Sequence, residues 1–175
     1  MPWLFDDEAC VILKEFVNLK CRLMPYLYGQ AVRSHEYGTP VLRPMFLDFP
    51  EDRACDTLDR QYMFGSSLLA APVFKESGEV DYYLPKGTWV NLITGETREG
   101  GTWYKETHDY HSLPLMVKEN TILPMGNNDR EPEYDFCGRR DPSSVGVRGW
   151  KRSRCGNSGL QGQCSDESPC GMPGW

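Results

Sequence analysis

The stretch LDRQYMFGSSLLAAPVF, Leu58–Phe74, decides how this chain is read. It is apolar enough for a core strand, yet Gly65, Ser66 and Ser67 break it and Ala70, Ala71 and Pro72 end it. Three readings compete: a strand of a small independent domain, a piece of an enzyme core, or a nucleophile turn built on Ser66 or Ser67. A serine exposed between strand and helix sits in a Gly-x-Ser-x-Gly elbow, and neither serine does. A plain strand or bulge suits both better.

Downstream, the period stays near two. Val80, Tyr82 and Leu84 alternate with Asp81 and Tyr83, and Pro85-Lys86-Gly87 turns the chain into TWVNLI. GTWYKE, PLMVKEN and TILPM continue as short strands between Gly, Pro and Asn, which predicts an antiparallel sandwich or barrel. Upstream, TPVLRPMFLDF reads as a strand interrupted by Pro44, and PEDRACDTLD as a brief helix with Pro50 at its first position.

The beginning of the chain has helical period. Ile12, Phe16, Leu19, Leu23, Leu27 and Ala31 recur at steps of three and four. Asp6, Asp7 and Glu8 suit the positive end of a helix dipole, and Gly38 is a natural stop. Pro25 removes a ladder bond, so the spacing predicts a helix kinked near Arg22 or two helices meeting there. Val11, Val17, Met24 and Tyr26 add apolar mass on the other side, so the helix needs partners on more than one face. From about Cys137 neither period survives. Gly, Ser, Arg and Cys dominate, and too little apolar area remains to offset ordering entropy, which predicts disorder.

The 175 residues hold one domain, or one and a fraction. A formal charge of -6 gives no bias toward nucleic acid or a membrane surface. No apolar run approaches the roughly 18–20 residues of a membrane span. The acidic start lacks the basic leader of a signal peptide, which favours the cytoplasm if Met1 is the natural beginning. Of the seven cysteines, Cys10, Cys21 and Cys55 read as reduced core fillers. Cys137, Cys155, Cys164 and Cys170 lack the close pairs of a zinc site.

Other candidate sites are weak on the residues alone. His108 and His111 flank Asp109 but lack a further ligand pair for a metal. Trp89, Trp103 and Tyr104 could stack on sugar rings, but aromatics alternating with polar residues in short strands more often fill a sandwich core. Asp48, Glu51, Asp52, Asp56 and Asp59 read as solvated charge, with Arg43 and Arg60 as structural partners. Nothing marks two of these carboxylates as a glycosidase pair. No catalytic, cofactor-binding or metal-binding residue is assigned.

The run from Leu19 to Phe74, LKCRLMPYLYGQAVRSHEYGTPVLRPMFLDFPEDRACDTLDRQYMFGSSLLAAPVF, resembles the region just past the catalytic site of family-31 glycoside hydrolases. CDTLDRQYMFG and LPLMVKENTILPMGNND are most similar to the α-xylosidases of that family. The resemblance runs from Pro2 to about Tyr134. It implies a mainly β fold: the last helix of a (β/α)8 barrel over residues 1–38, a proximal C-terminal β-sandwich over 39–127, and a tail outside the family over 128–175. It implies retaining hydrolysis of α-xylosides or α-glucosides by two aspartates, with no cofactor and with a homo-oligomer open for the full-length enzymes. The family's aspartates lie upstream of PWLFDDE and match no position here. The resemblance therefore implies an inactive fragment with an internal start, and a reading-frame shift near Phe136 would explain the tail. The alternatives are a non-catalytic carbohydrate-binding sandwich and a purely structural one.

Overall fold

A computed structural model describes residues 2–134 and the strand Val145–Gly146. The segment from about Cys137, for which disorder and a frame shift were expected, otherwise lies outside the described residues.

The amino-terminal half of the fold follows from its caps. After a short 3-10 turn at Pro2–Leu4, helix α1 spans Asp7–Arg22. The Asp6 carboxylate accepts from the Ala9 N–H at 2.7 Å, satisfying one of the helix's free donors, while Asp7 and Glu8 meet the dipole. A second helix, α2, spans Met24–Tyr37 with Pro25 in its first turn. Two helices therefore meet at Leu23, because proline is tolerated where an N–H has no intrahelical acceptor. Gly38 ends α2 at φ 70°, donating to Ser34 O at 2.9 Å.

Two expectations for the next segment are corrected. Only Leu42–Arg43 forms a strand, β1. Pro44, at φ -63° and ψ 151°, leads into a one-turn helix, α3, at Met45–Asp48, where its missing N–H costs nothing. Pro50 does not begin a helix either. Asp52 caps a 3-10 turn at Arg53–Cys55, its carboxylate accepting from Ala54 N at 3.1 Å.

The remaining strands are β2 (Tyr62–Phe64), β3 (Leu68–Ala70), β4 (Glu79–Leu84), β5 (Thr88–Asn91), β6 (Thr97–Glu99), β7 (Thr102–Thr107), β8 (Leu115–Lys118), β9 (Ile122–Leu123) and β10 (Val145–Gly146). All pairings are antiparallel. Six strands form one sheet in the order β1-β2-β3-β8-β5-β6; β4 pairs with β7 as a separate ribbon, and β9 with β10.

The large sheet is the middle of three layers, and strand alternation divides its side chains between two cores. Met63, Leu69, Trp89 and Met116 join Tyr82 and Leu84 of the ribbon in one cluster. Their chain neighbours Phe64, Leu68, Val90 and Val117 turn the other way, onto Leu19, Leu23, Tyr26 and Leu27 of the helices. The fold is thus mainly β, with an antiparallel sandwich on one side of the sheet and a helical layer on the other. No helix among the described residues is long and apolar enough to cross a membrane.

Candidate functional site

The Gly65-Ser66-Ser67 turn joins β2 to β3 beneath α2, and its polar groups face inward. Tyr26 Oη donates to Phe64 O at 2.8 Å and accepts from Ser67 N at 3.0 Å. Gln30 Oε1 accepts from Ser66 N at 3.2 Å, and its Nε2 donates to Ser66 Oγ at 3.4 Å. Arg43, buried, donates to Pro40 O, to the Asp48 carboxylate and to Gln30 Oε1 at 2.8, 3.2 and 3.3 Å. Gly65, at φ 70°, leaves room for Tyr26 Oη and lies so close that a Cβ would sit 2.6 Å from Gln30 Cγ.

This cluster is a structural lock. Ser66 and Ser67 bond to each other at 3.2 Å and to the helix, with no general base among their partners. Burial, opposed by the hydrogen bonds at Ser67, raises the Tyr26 phenol above its ordinary value, so it serves as a neutral donor and acceptor.

The acidic residues also hold structural posts. Asp48 pairs with Arg43, and Asp52 caps its turn and accepts from Tyr83 Oη at 2.8 Å. Burial, reinforced by that bond, pushes the Tyr83 phenol up to about 12. Cys55 is pushed up to about 11 by burial and then by the negative charges of Asp52 and Asp56. Neither group is a nucleophile at neutral pH.

The two histidines separate. His108 Nε2 lies 3.2 Å from the Glu106 carboxylate, and Nδ1 lies 3.0 Å from Ser112 Oγ. That arrangement has the members of a hydrolytic triad, but Ser112 donates its proton to Asp109 at 2.8 Å, away from the imidazole. His111 instead reaches Glu15 of α1 at 2.7 Å. No group of three or more His, Cys, Asp or Glu side chains placed to hold a metal occurs among the described residues.

The tryptophans divide as well, which corrects the reading that Trp89 and Trp103 both fill the core. Trp89 does: it is fully buried, with Nε1 donating to Pro85 O at 2.8 Å. Trp103 stands 56% exposed on the outer side of the ribbon, its ring 5.6 Å from that of Tyr83. It borders a cavity of about 270 Å³ with Phe74, Asp59, Arg60, Lys75 and Asp81. Alternation puts Trp103 and Tyr104 on opposite faces of β7: Tyr104 packs against the core cluster, while Trp103 lies beside its cross-strand partner Tyr83 with its own ring left partly in solvent.

Residues 38–123 match the model of the glycosyl hydrolase family 31 C-terminal domain. The chain is 39% identical over 141 residues to an alpha-xylosidase of Emericella nidulans, covering 76% of this chain and 18% of that protein. It is 33% identical over 133 residues to alpha-glucosidase 2 of Bacillus thermoamyloliquefaciens, covering 75% and 17%. A solved dextranase of Flavobacterium johnsoniae superposes with a TM-score of 0.70 at 32% identity, covering 73% of this chain and 16% of that one. The sandwich is therefore a glycoside hydrolase domain. The chain belongs to glycosyl hydrolase family 31, through that family's C-terminal domain, and is α-xylosidase-like in sequence. It spans under a fifth of the length of these relatives.

Proposed function

We propose that this chain is the C-terminal part of a retaining α-glycosidase that acts on α-xylosides in preference to α-glucosides. In this reading residues 1–38 close the catalytic barrel, 39–127 form the proximal sandwich that buttresses it, and 128–175 lie outside the family unit. Both catalytic aspartates belong to barrel segments beyond this chain, so the chain alone is inactive. A (β/α)8 barrel assembles its catalytic loops from the ends of many strands, and a helical layer contributes none of them.

The observation that carries this reading is the helical layer. Its inner face packs on the large sheet, while Val11, Leu13, Val17 and Val32 stay exposed along its outer face. Helices with apolar residues on both faces lie between two layers in a larger molecule. The acids offer independent support, since Asp48 and Asp52 are engaged in the structural bonds described above.

Two assays test it. Incubated with an aryl α-xyloside, the purified chain is expected to give no turnover above background; turnover would overturn the assignment of catalysis elsewhere. Expressed together with the coding sequence that precedes it in the genome, it is expected to hydrolyse the aryl α-xyloside faster than the aryl α-glucoside. The reverse order would make the enzyme an α-glucosidase.

A further inference from the structure

The cavity beside Trp103 is lined by ribbon residues, across the large sheet from the helical layer. Three chain segments build it: the loop carrying Asp59 and Arg60, the loop carrying Phe74 and Lys75, and the ribbon residues Asp81 and Trp103. Trp103 and Phe74, 56% and 72% exposed, present apolar rings to solvent at its edge. Two large rings left in water at the edge of one cavity are a feature of binding surfaces.

We infer that this cavity is a secondary carbohydrate-binding site that takes one pyranose ring of a neutral α-linked oligosaccharide, stacked on Trp103. A pyranose has a face of C–H groups and a rim of hydroxyls that both donate and accept. An aromatic ring matches the face. The rim needs acceptors and donors side by side, as ionised carboxylates and cationic side chains provide. Here Lys75 Nζ stands 3.5 Å from both Glu79 and Asp81, and Arg60 is 4.0 Å from Asp59. Each cation is thus matched by carboxylate, which leaves no field of one sign to select an ionic ligand and favours a neutral, hydroxyl-rich one.

Size agrees with the chemistry. About 270 Å³ falls just short of the roughly 300–1,000 Å³ typical of drug-sized sites, which suits one ring with its chain continuing into solvent. An open site of this kind holds its ligand in roughly the millimolar range. It would hold a polymeric substrate near the enzyme without touching the reacting bond. The inference rests on the proposed glycosidase reading only for the α linkage of the sugar.

The test is an NMR titration of the isotope-labelled chain with isomaltotriose, reading the tryptophan indole N–H signals. The Trp103 signal is assigned by its loss in Trp103→Phe. A saturable shift of that signal is expected, while that of the buried Trp89 stays in place. Trp103→Ala should weaken binding at least about tenfold and Arg60→Ala about threefold, both read from the backbone amides of Lys75 and Asp81. Both side chains are largely exposed, so neither change threatens the fold. No shift up to about 20 mM sugar would overturn the inference, as would unchanged affinity in Trp103→Ala. An equal shift with tetramethylammonium would overturn it too, because the ring would then be reading charge. The signal reports binding and not hydrolysis, so failure of the glycosidase assays leaves this result standing, and the converse holds.

Discussion

The side chain of Gln61 imitates a strand for Tyr83. Its Oε1 accepts from Tyr83 N at 2.7 Å, and its Nε2 donates to Tyr83 O at 2.7 Å. One amide thus satisfies both backbone groups of a residue on β4 and ties the ribbon to the start of β2. Gln61 and the Tyr83 side chain are both buried, so no water replaces these bonds easily.

Gln61→Ala should therefore destabilise the chain by about 2–4 kcal/mol, since two buried backbone groups lose their partner together. Gln61→Glu should cost at least as much, because it sets a buried carboxylate oxygen against Tyr83 O where the amide donated. Denaturant unfolding measures both, and an unchanged midpoint for the alanine variant would remove the clamp from the account.

Gly65→Ala combines two penalties. The backbone is at φ 70°, which L side chains rarely adopt, and the new Cβ would press on Tyr26 Oη and Gln30. The cost should be about 2–3 kcal/mol in thermal or chemical unfolding. Gly95→Ala is the control: it shares a positive φ of 76° with open space around it, so it should cost less. Equal losses at both sites would mean that the close approach to α2 contributes nothing.

Much of this fold is legible in the sequence, and the gaps have physical causes. Asp6 and Gly38 mark the ends of the helical region because capping is local chemistry. β4 shows its alternation over Val80, Asp81 and Tyr82, where buried and exposed residues take turns, whereas Tyr83 is buried on the other face by Gln61 and Asp52, which the sequence does not show. β6 is not visible as a strand, because Thr97, Arg98 and Glu99 form a largely solvated edge and carry no apolar residue of their own to set a period. Its hairpin is made by Asn91, whose Oδ1 accepts from Ile93 N and Thr94 N at 2.8 and 3.1 Å. Trp89 and Trp103 look alike in sequence, and only the placement of the ribbon separates a core residue from an exposed one. Gln61 reads as an ordinary polar residue, because the partner that buries it lies on another strand.

Arg43 is a third stability test. Its guanidinium, buried, serves Pro40 O, Asp48 and Gln30 together. Arg43→Met should cost about 3–5 kcal/mol by leaving a carboxylate and two polar groups without their donor. Arg43→Lys should recover only part of this, because an ammonium cannot span the three acceptors as a planar fork does. If lysine restored the full midpoint, charge alone would be at work.

Cys55 gives a chemical test. With its thiol pushed up to about 11 and its side chain buried, it should resist alkylation by iodoacetamide at pH 8 in the folded chain. Of the three described cysteines, Cys10, half-buried on α1, should react before the buried Cys21 and Cys55. Peptide mass mapping before and after denaturation reads the order. Rapid labelling of Cys55 in the native chain would contradict the packed position of the 3-10 turn.

His111 and Glu15 predict how pH acts on the contact between α1 and the loop before β8. The hydrogen bond to Glu15 raises the imidazole above its usual value of about 6.5, with the charges of Glu15, Asp109 and Glu8 adding to it. A group held above its unfolded value binds protons more tightly in the folded state. Its contribution is therefore complete below about pH 6.5 and fades as pH rises through the higher folded value. The pair is exposed, so the effect should be small and should shrink with added salt. An NMR titration of the His111 ring should give a midpoint above 6.5 that falls toward that value in Glu15→Gln. The same substitution should flatten the loss of stability that sets in as pH rises above about 6.5. A midpoint indifferent to Glu15→Gln would show that the loop does not hold α1 through this bond.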